Sequence, residues 1–156
     1  MLGVFLAIDG SNNVQIKHMR KVAEVWYDKV RVGHLSRYDA WLALQSTVMK
    51  TIEYPLLALT LTEAECTHIM APVLMGGLPN IGVCKTMPRS LVYAPLKYQG
   101  LDIHNLYTTQ GLSHIKGLLN HIWQGTTTGK LLQTSLEYAK IEVGLGGSYF
   151  NNDYDV

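Results

Sequence analysis

Cysteine is nearly missing from this chain: Cys66 and Cys84 are the only two in 156 residues. Two cysteines are too few and too irregularly placed for a disulfide framework, so a reduced intracellular compartment is the expectation. Charge is sparse as well, at 16% of residues with a formal net charge of +1. The field of the whole molecule therefore selects neither a polyanion nor an acidic partner. Long hydrophobic runs are also lacking. The apolar opening Met1 to Ile8 has no basic leader and is cut off at Asp9, so it reads as neither signal peptide nor membrane span. What is abundant is apolar side chain, 47% of the total, enough for a folded core and too much for general disorder. The length suits one domain, or one domain with an appended helical pair.

Catalytic groupings are missing too. Cys66 and His68 are two residues apart on an expected helix and point to different faces, and no second pair follows at zinc-finger spacing. His114 and His121 share a face but lack a third ligand. No Ser-His-Asp or Cys-His arrangement is defensible from spacing. Met75-Gly76-Gly77-Leu78-Pro79 lacks the Lys-Ser/Thr of a phosphate loop, and Gly144-Leu145-Gly146-Gly147 precedes a tail. Asp153-Tyr154-Asp155 lies in a polar terminus without flanking apolar strands and reads as a solvated tail. No catalytic residue, metal or cofactor is expected.

The periodicity is helical. Leu2 to Ile8 is the exception, a short strand running into the turn residues from Asp9 to Asn13. It would need pairing from elsewhere in the chain or from an upstream segment. Met19, Val22, Ala23, Trp26 and Val30 then step by three and four, giving an amphipathic helix from Val14 to about Val32. Ser36 with Asp39 signals the N-cap of a second, central helix carrying Trp41, Leu44, Val48 and Ile52, which Pro55 should end by driving Tyr54 out of helical geometry. Thr62 with Glu65 is a capping box opening a third helix through Cys66, Ile69, Met70, Val73 and Leu74. Pro72 should kink or shorten it, and Gly76-Gly77 should stop it. Residues 76–103 look loop-rich, with one short helix from Arg89 to Tyr93. A helix between about Asn105 and Trp123 and another from Leu131 to Val143, joined at Gly125-Thr126, should form a helical hairpin. The expected fold is thus mainly α, divided as strand 1–10, helical domain 11–75, connection 76–103, hairpin 104–145 and frayed tail 146–156.

One segment is locally basic. Residues 17 to 37 carry Lys17, Arg20, Lys21, Lys29, Arg31 and Arg37 against Glu24 and Asp28. Such cations suit phosphate contacts, although a solvated helix face is the commoner meaning of this pattern. Trp26, Tyr27, Tyr38 and Trp41 suit base stacking, but Trp26 and Trp41 lie on apolar stripes and fit core packing better.

The order of these pieces resembles the region after the palm in non-LTR retroelement reverse transcriptases. Leu2-Gly3-Val4-Phe5-Leu6 before Asp9-Gly10 is similar to the strand that closes the palm, and residues 14 to 54 to the helical thumb, down to Met49-Lys50-Thr51-Ile52-Glu53-Tyr54-Pro55. Gly77-Leu78-Pro79, Pro88-Arg89-Ser90-Leu91-Val92-Tyr93-Ala94-Pro95 and Gly100-Leu101-Asp102-Ile103-His104-Asn105-Leu106-Tyr107 resemble the segment that follows. Asp102 stands where the family tends to have a turn glycine. The resemblance spans roughly residues 2 to 145. It implies that the catalytic aspartates belong to an upstream palm absent from this chain. It also implies that the thumb holds an RNA or RNA–DNA duplex by its backbone, through Lys17, Lys21, Arg31 and Arg37, with Lys85, Arg89 and Lys97 as further contacts. The competing expectations are an inactive retroelement remnant and a helical protein-interaction domain.

Overall fold

The structure is a computed structural model describing residues 3–147. Leu2 and the terminal Asp153-Tyr154-Asp155 lie outside the described residues. The fold is mainly helical, and no strand occurs among the described residues. The chain divides into two compact units, Met1–Ser113 and His114–Val156.

In the first unit, α1 (Asn13–Val32) supplies Ile16, Met19 and Ala23 to the core, confirming the three-and-four spacing. α2 (Arg37–Ala43) starts at the expected cap, where the Ser36 hydroxyl accepts from the Asp39 N–H at 3.1 Å. It continues as a π-helical turn, Leu44–Val48, and then as α3 (Met49–Glu53). Leu44, Val48, Met49 and Ile52 are all buried, so this run is central as its sequence implied.

Pro55 does not push Tyr54 out of helical geometry. Tyr54 keeps φ −51°, ψ −48°, and Pro55 enters the first turn of a 3-10 helix, Tyr54–Ala58. Pro55 supplies no N–H at this junction, and the chain tightens from α to 3-10 bonding without leaving helical geometry. Burial of Pro55 and Leu56 holds the turn in place.

α4 (Glu63–Pro72) carries the full capping box: the Thr62 hydroxyl accepts from the Glu65 N–H, and Glu65 Oε2 accepts from the Thr62 N–H at 2.8 Å. Pro72 ends the α-helical hydrogen bonding, but the chain winds on through a π-helical turn, Val73–Gly77, into α5 (Leu78–Asn80). Gly76-Gly77 is therefore not a helix stop. A Cβ on Gly76 would lie 2.5 Å from Cε2 of Tyr27, and one on Gly77 3.0 Å from Cζ3 of Trp26. These glycines let two aromatic rings of α1 meet the backbone. The reversal comes later, at Gly82 with φ +82°.

Pro72 has a second consequence. It lacks the N–H that would satisfy the His68 carbonyl in an α-helix, and Arg20 of α1 donates Nη1 to that carbonyl at 2.8 Å.

The middle segment contains α6 (Arg89–Tyr93), as expected, and a 3-10 turn, Leu96–Tyr98. Backbone N–H groups of Leu101, Asp102 and Ile103 return to the carbonyls of Leu91, Ala94 and Val92 at 3.1, 2.9 and 3.2 Å. Val92, Ile103 and Leu106 thereby join the same core as α1 and α4. α7 (Leu106–Trp123) begins here, and its Gln110, 5% exposed, holds Leu61 by both ends of one peptide-like amide: Leu61 N–H to Oε1 at 2.9 Å, Nε2 to the Leu61 carbonyl at 3.1 Å.

The expected N-terminal strand is absent. Among residues 3–8, the Phe5 N–H is bonded by a side chain, Gln15 Oε1, at 2.8 Å, and the Gly10 N–H closes a turn on the Ala7 carbonyl at 3.0 Å. The nearest element is a helix whose backbone groups are already used, so no ladder can form. The strand propensity of Val4, Phe5 and Ile8 has nothing to pair with.

In the second unit, the end of α7 turns at Gly125, φ +60°, into α8 (Thr127–Val143), capped by the Thr126 hydroxyl accepting from the Gly129 N–H at 3.0 Å. A Cβ on Gly129 would fall 2.0 Å from the His121 carbonyl oxygen, so the two helices touch closely at this corner. Trp123, Leu131, Tyr138 and Ile141 are exposed.

Candidate nucleic-acid interface

The basic residues of α1 separate into two groups by their partners. Arg20 Nε is paired with Glu24 Oε1 at 2.9 Å while its Nη1 engages His68, so it ties α1 to α4. Arg31 lies 3.9 Å from Asp28 and 5.9 Å over the Tyr27 ring. Both acids of α1 are thus directed toward arginines. Lys17 and Lys21, exposed and one turn apart on the same side of the helix, make no ion pair among the described residues.

The four expected phosphate-binding residues do not form one tight cluster. Lys17 and Lys21 are adjacent, but Arg31 lies ten residues beyond Lys21, a rise of about 15 Å along a helix. Arg37 follows the turn after α1, and its side chain lies against Gly82, where a Cβ would come within 2.9 Å of its Cδ.

The further contacts expected from residues 85 to 97 are dispersed. Lys85 is exposed, and Lys97 sits 4.6 Å over the Tyr98 ring. Arg89 places Nη2 3.6 Å from the Met75 sulfur, while its Nη1 is buried without a protein partner. Of the aromatic candidates, Trp26 packs against the core with part of its ring left at the surface, and Tyr27 packs against Gly76. Tyr38 is exposed.

Beside Lys21 the surface opens into a groove of about 390 Å³ between α1 and the Leu44–Glu53 run. Val22, Val25, Trp26 and Val48 form its apolar wall, Lys21, Lys29 and His18 its basic rim, with Thr47 and Thr51 opposite. Among the described residues, no carboxylate lines it. The Phe5 ring meets His18 edge-on, with centroids 5.2 Å apart. Lys29 was one of the basic residues of the segment, but His18, Thr47 and Thr51 carried no warning in the sequence. The readable signal was Val25, a β-branched apolar residue off the main stripe, followed by Lys29 one turn on.

No group of three or more His, Cys, Asp or Glu among the described residues is placed to hold a metal ion. No described helix is long and apolar enough to cross a membrane. Compared with known proteins, the chain matches no family model, no curated protein and no solved structure.

Proposed function

We propose that this chain is a thumb-like accessory part of an RNA-directed DNA polymerase that grips an RNA–DNA duplex by its backbone and does not polymerise by itself. The observation that carries the reading is the division of charge on α1: its acids face Arg20 and Arg31, and Lys17 and Lys21 are left for an external anion. The ordered resemblance of residues 2 to 145 to the post-palm region of non-LTR reverse transcriptases supplies the polymerase context, with the metal-binding aspartates on an upstream palm. Arg31 and Arg37 extend the contact beyond Lys21. Phosphate contacts of this kind give affinity without sequence preference.

Fluorescence anisotropy with a blunt RNA–DNA duplex tests this. Binding should weaken as salt rises, and Lys17→Glu with Lys21→Glu should abolish it while leaving the helical circular dichroism spectrum intact. Salt-independent binding, or none, refutes the reading. The exposed Trp123, Leu131, Tyr138 and Ile141 of the second unit favour a second reading, a protein-interaction domain. Sedimentation showing self-association that Leu131→Glu removes would support it.

A further inference from the structure

We infer that the groove beside Lys21 takes an unpaired nucleotide at the end of the duplex, with its base against the apolar wall and its flanking phosphates on Lys21 and Lys29. This rests on the duplex-gripping function proposed above and adds a second, single-strand component to it.

Three features point to that occupant. Lys21 belongs both to the exposed Lys17–Lys21 pair and to the groove rim, so the phosphate-binding surface continues into the groove. Lys21 and Lys29 are eight residues apart on α1, a separation of about 12 Å along the axis. Two cations so placed can hold the phosphates on either side of a nucleotide whose base turns inward. Between them, Val22, Val25, Trp26 and Val48 form an apolar wall that suits a base face, and no carboxylate among the described residues lines the groove to repel the phosphates.

Thr47 and Thr51 complete the recognition. Their hydroxyls already donate to the backbone carbonyls of Ala43 and Thr47. Only their acceptor lone pairs remain, so they suit the N–H edges of a base. A paired base buries its faces in the duplex stack and cannot enter. The groove therefore discriminates an overhang from a blunt end.

The test compares a blunt RNA–DNA duplex with the same duplex bearing a three-nucleotide overhang whose first unpaired base is 2-aminopurine. The overhang should tighten binding about five- to tenfold, the lower end of what one stacked base contributes, and the 2-aminopurine emission should change on binding. Val25 is 44% exposed, so Val25→Gln should fold normally. It should remove both effects while the blunt duplex binds as before. Equal affinity for both duplexes overturns this inference and leaves the duplex grip standing. Failure to bind either duplex overturns both. An acidic amphipathic peptide that binds wild type but not Val25→Gln, with no overhang effect, would assign the groove to a protein partner and also overturn it.

Discussion

Two neighbouring positions show how single residues set the backbone of this protein. A Cβ on Gly100 would fall 2.0 Å from the Ala94 carbonyl oxygen, the same oxygen that accepts the Asp102 N–H at 2.9 Å. Gly100→Ala should therefore cost about 2–3 kcal/mol, the upper part of the range for overpacking, measured by urea unfolding. Asp102 sits at φ +52°, a left-handed conformation in which glycine is unstrained. Asp102→Gly should raise stability by about 0.5 kcal/mol, since relief of strain exceeds the added freedom of the unfolded chain. A loss at position 102 would show that the Asp side chain contributes more than its backbone strain. The two cysteines differ as sharply. Burial, aided by Glu65 and Glu63, pushes the Cys66 thiol up to about 11 from 9.0. Exposed Cys84 is held below its usual range by its hydrogen bond to Thr86. One thiol, Cys84, should react promptly with a disulfide reagent at pH 8, and Cys66 only on unfolding. Equal rates would contradict that assignment. Since Cys66 ionises at lower pH when unfolded, its contribution is complete below pH 9 and is lost as pH rises toward 11.

The elements are held together by side chains that substitute for backbone partners. Arg20 serves the carbonyl that Pro72 leaves open on α4, and Gln110 of α7 serves both polar groups of Leu61. Gln110→Leu would bury an unsatisfied N–H and carbonyl together. The expected loss is about 2–4 kcal/mol, and Gln110→Glu, which sets a buried carboxylate oxygen against the Leu61 carbonyl, should also destabilise at neutral pH and recover in acid, where the protonated carboxyl again donates to that carbonyl. If acid restores nothing to the Glu variant, the hydrogen bonds are not the reason Gln110 is buried. The starts of α2 and α4 were legible because their chemistry is local: Ser36 and Thr62 cap within three residues, each where expected, whereas α8 begins at Thr127, four residues before the expected Leu131. Helix ends were less legible. The effects of Pro55 and Gly76-Gly77 depended on what lay beside them: a buried 3-10 turn in one case, the rings of Tyr27 and Trp26 in the other.

At the scale of the whole molecule, a net charge of +1 supplies little long-range attraction. Any grip on nucleic acid must therefore be local and modest. With four phosphate contacts at most, the slope of log K against log salt should be no steeper than about −4 for a duplex, and each charge removed at Lys17 or Lys21 should flatten it by about one. A markedly steeper slope would mean that cations other than Lys17, Lys21, Arg31 and Arg37 take part. Composition and periodicity by themselves determined that the chain is mainly helical, where α1, α6 and α7 run, and which residues cap α2 and α4, because those depend on neighbours within one or two turns. The basic segment was equally visible as a run of letters. Tertiary structure alone decided that residues 3–8 form no strand, since pairing needs a second backbone edge and α1 offers none. It also decided that Arg20 ties α1 to α4, through a carbonyl released 48 residues away, whereas the pairings of Arg20 with Glu24 and of Arg31 with Asp28 are local to α1. The groove beside Lys21 belongs to that second class: its two walls come from segments separated in sequence, and only packing brings them together.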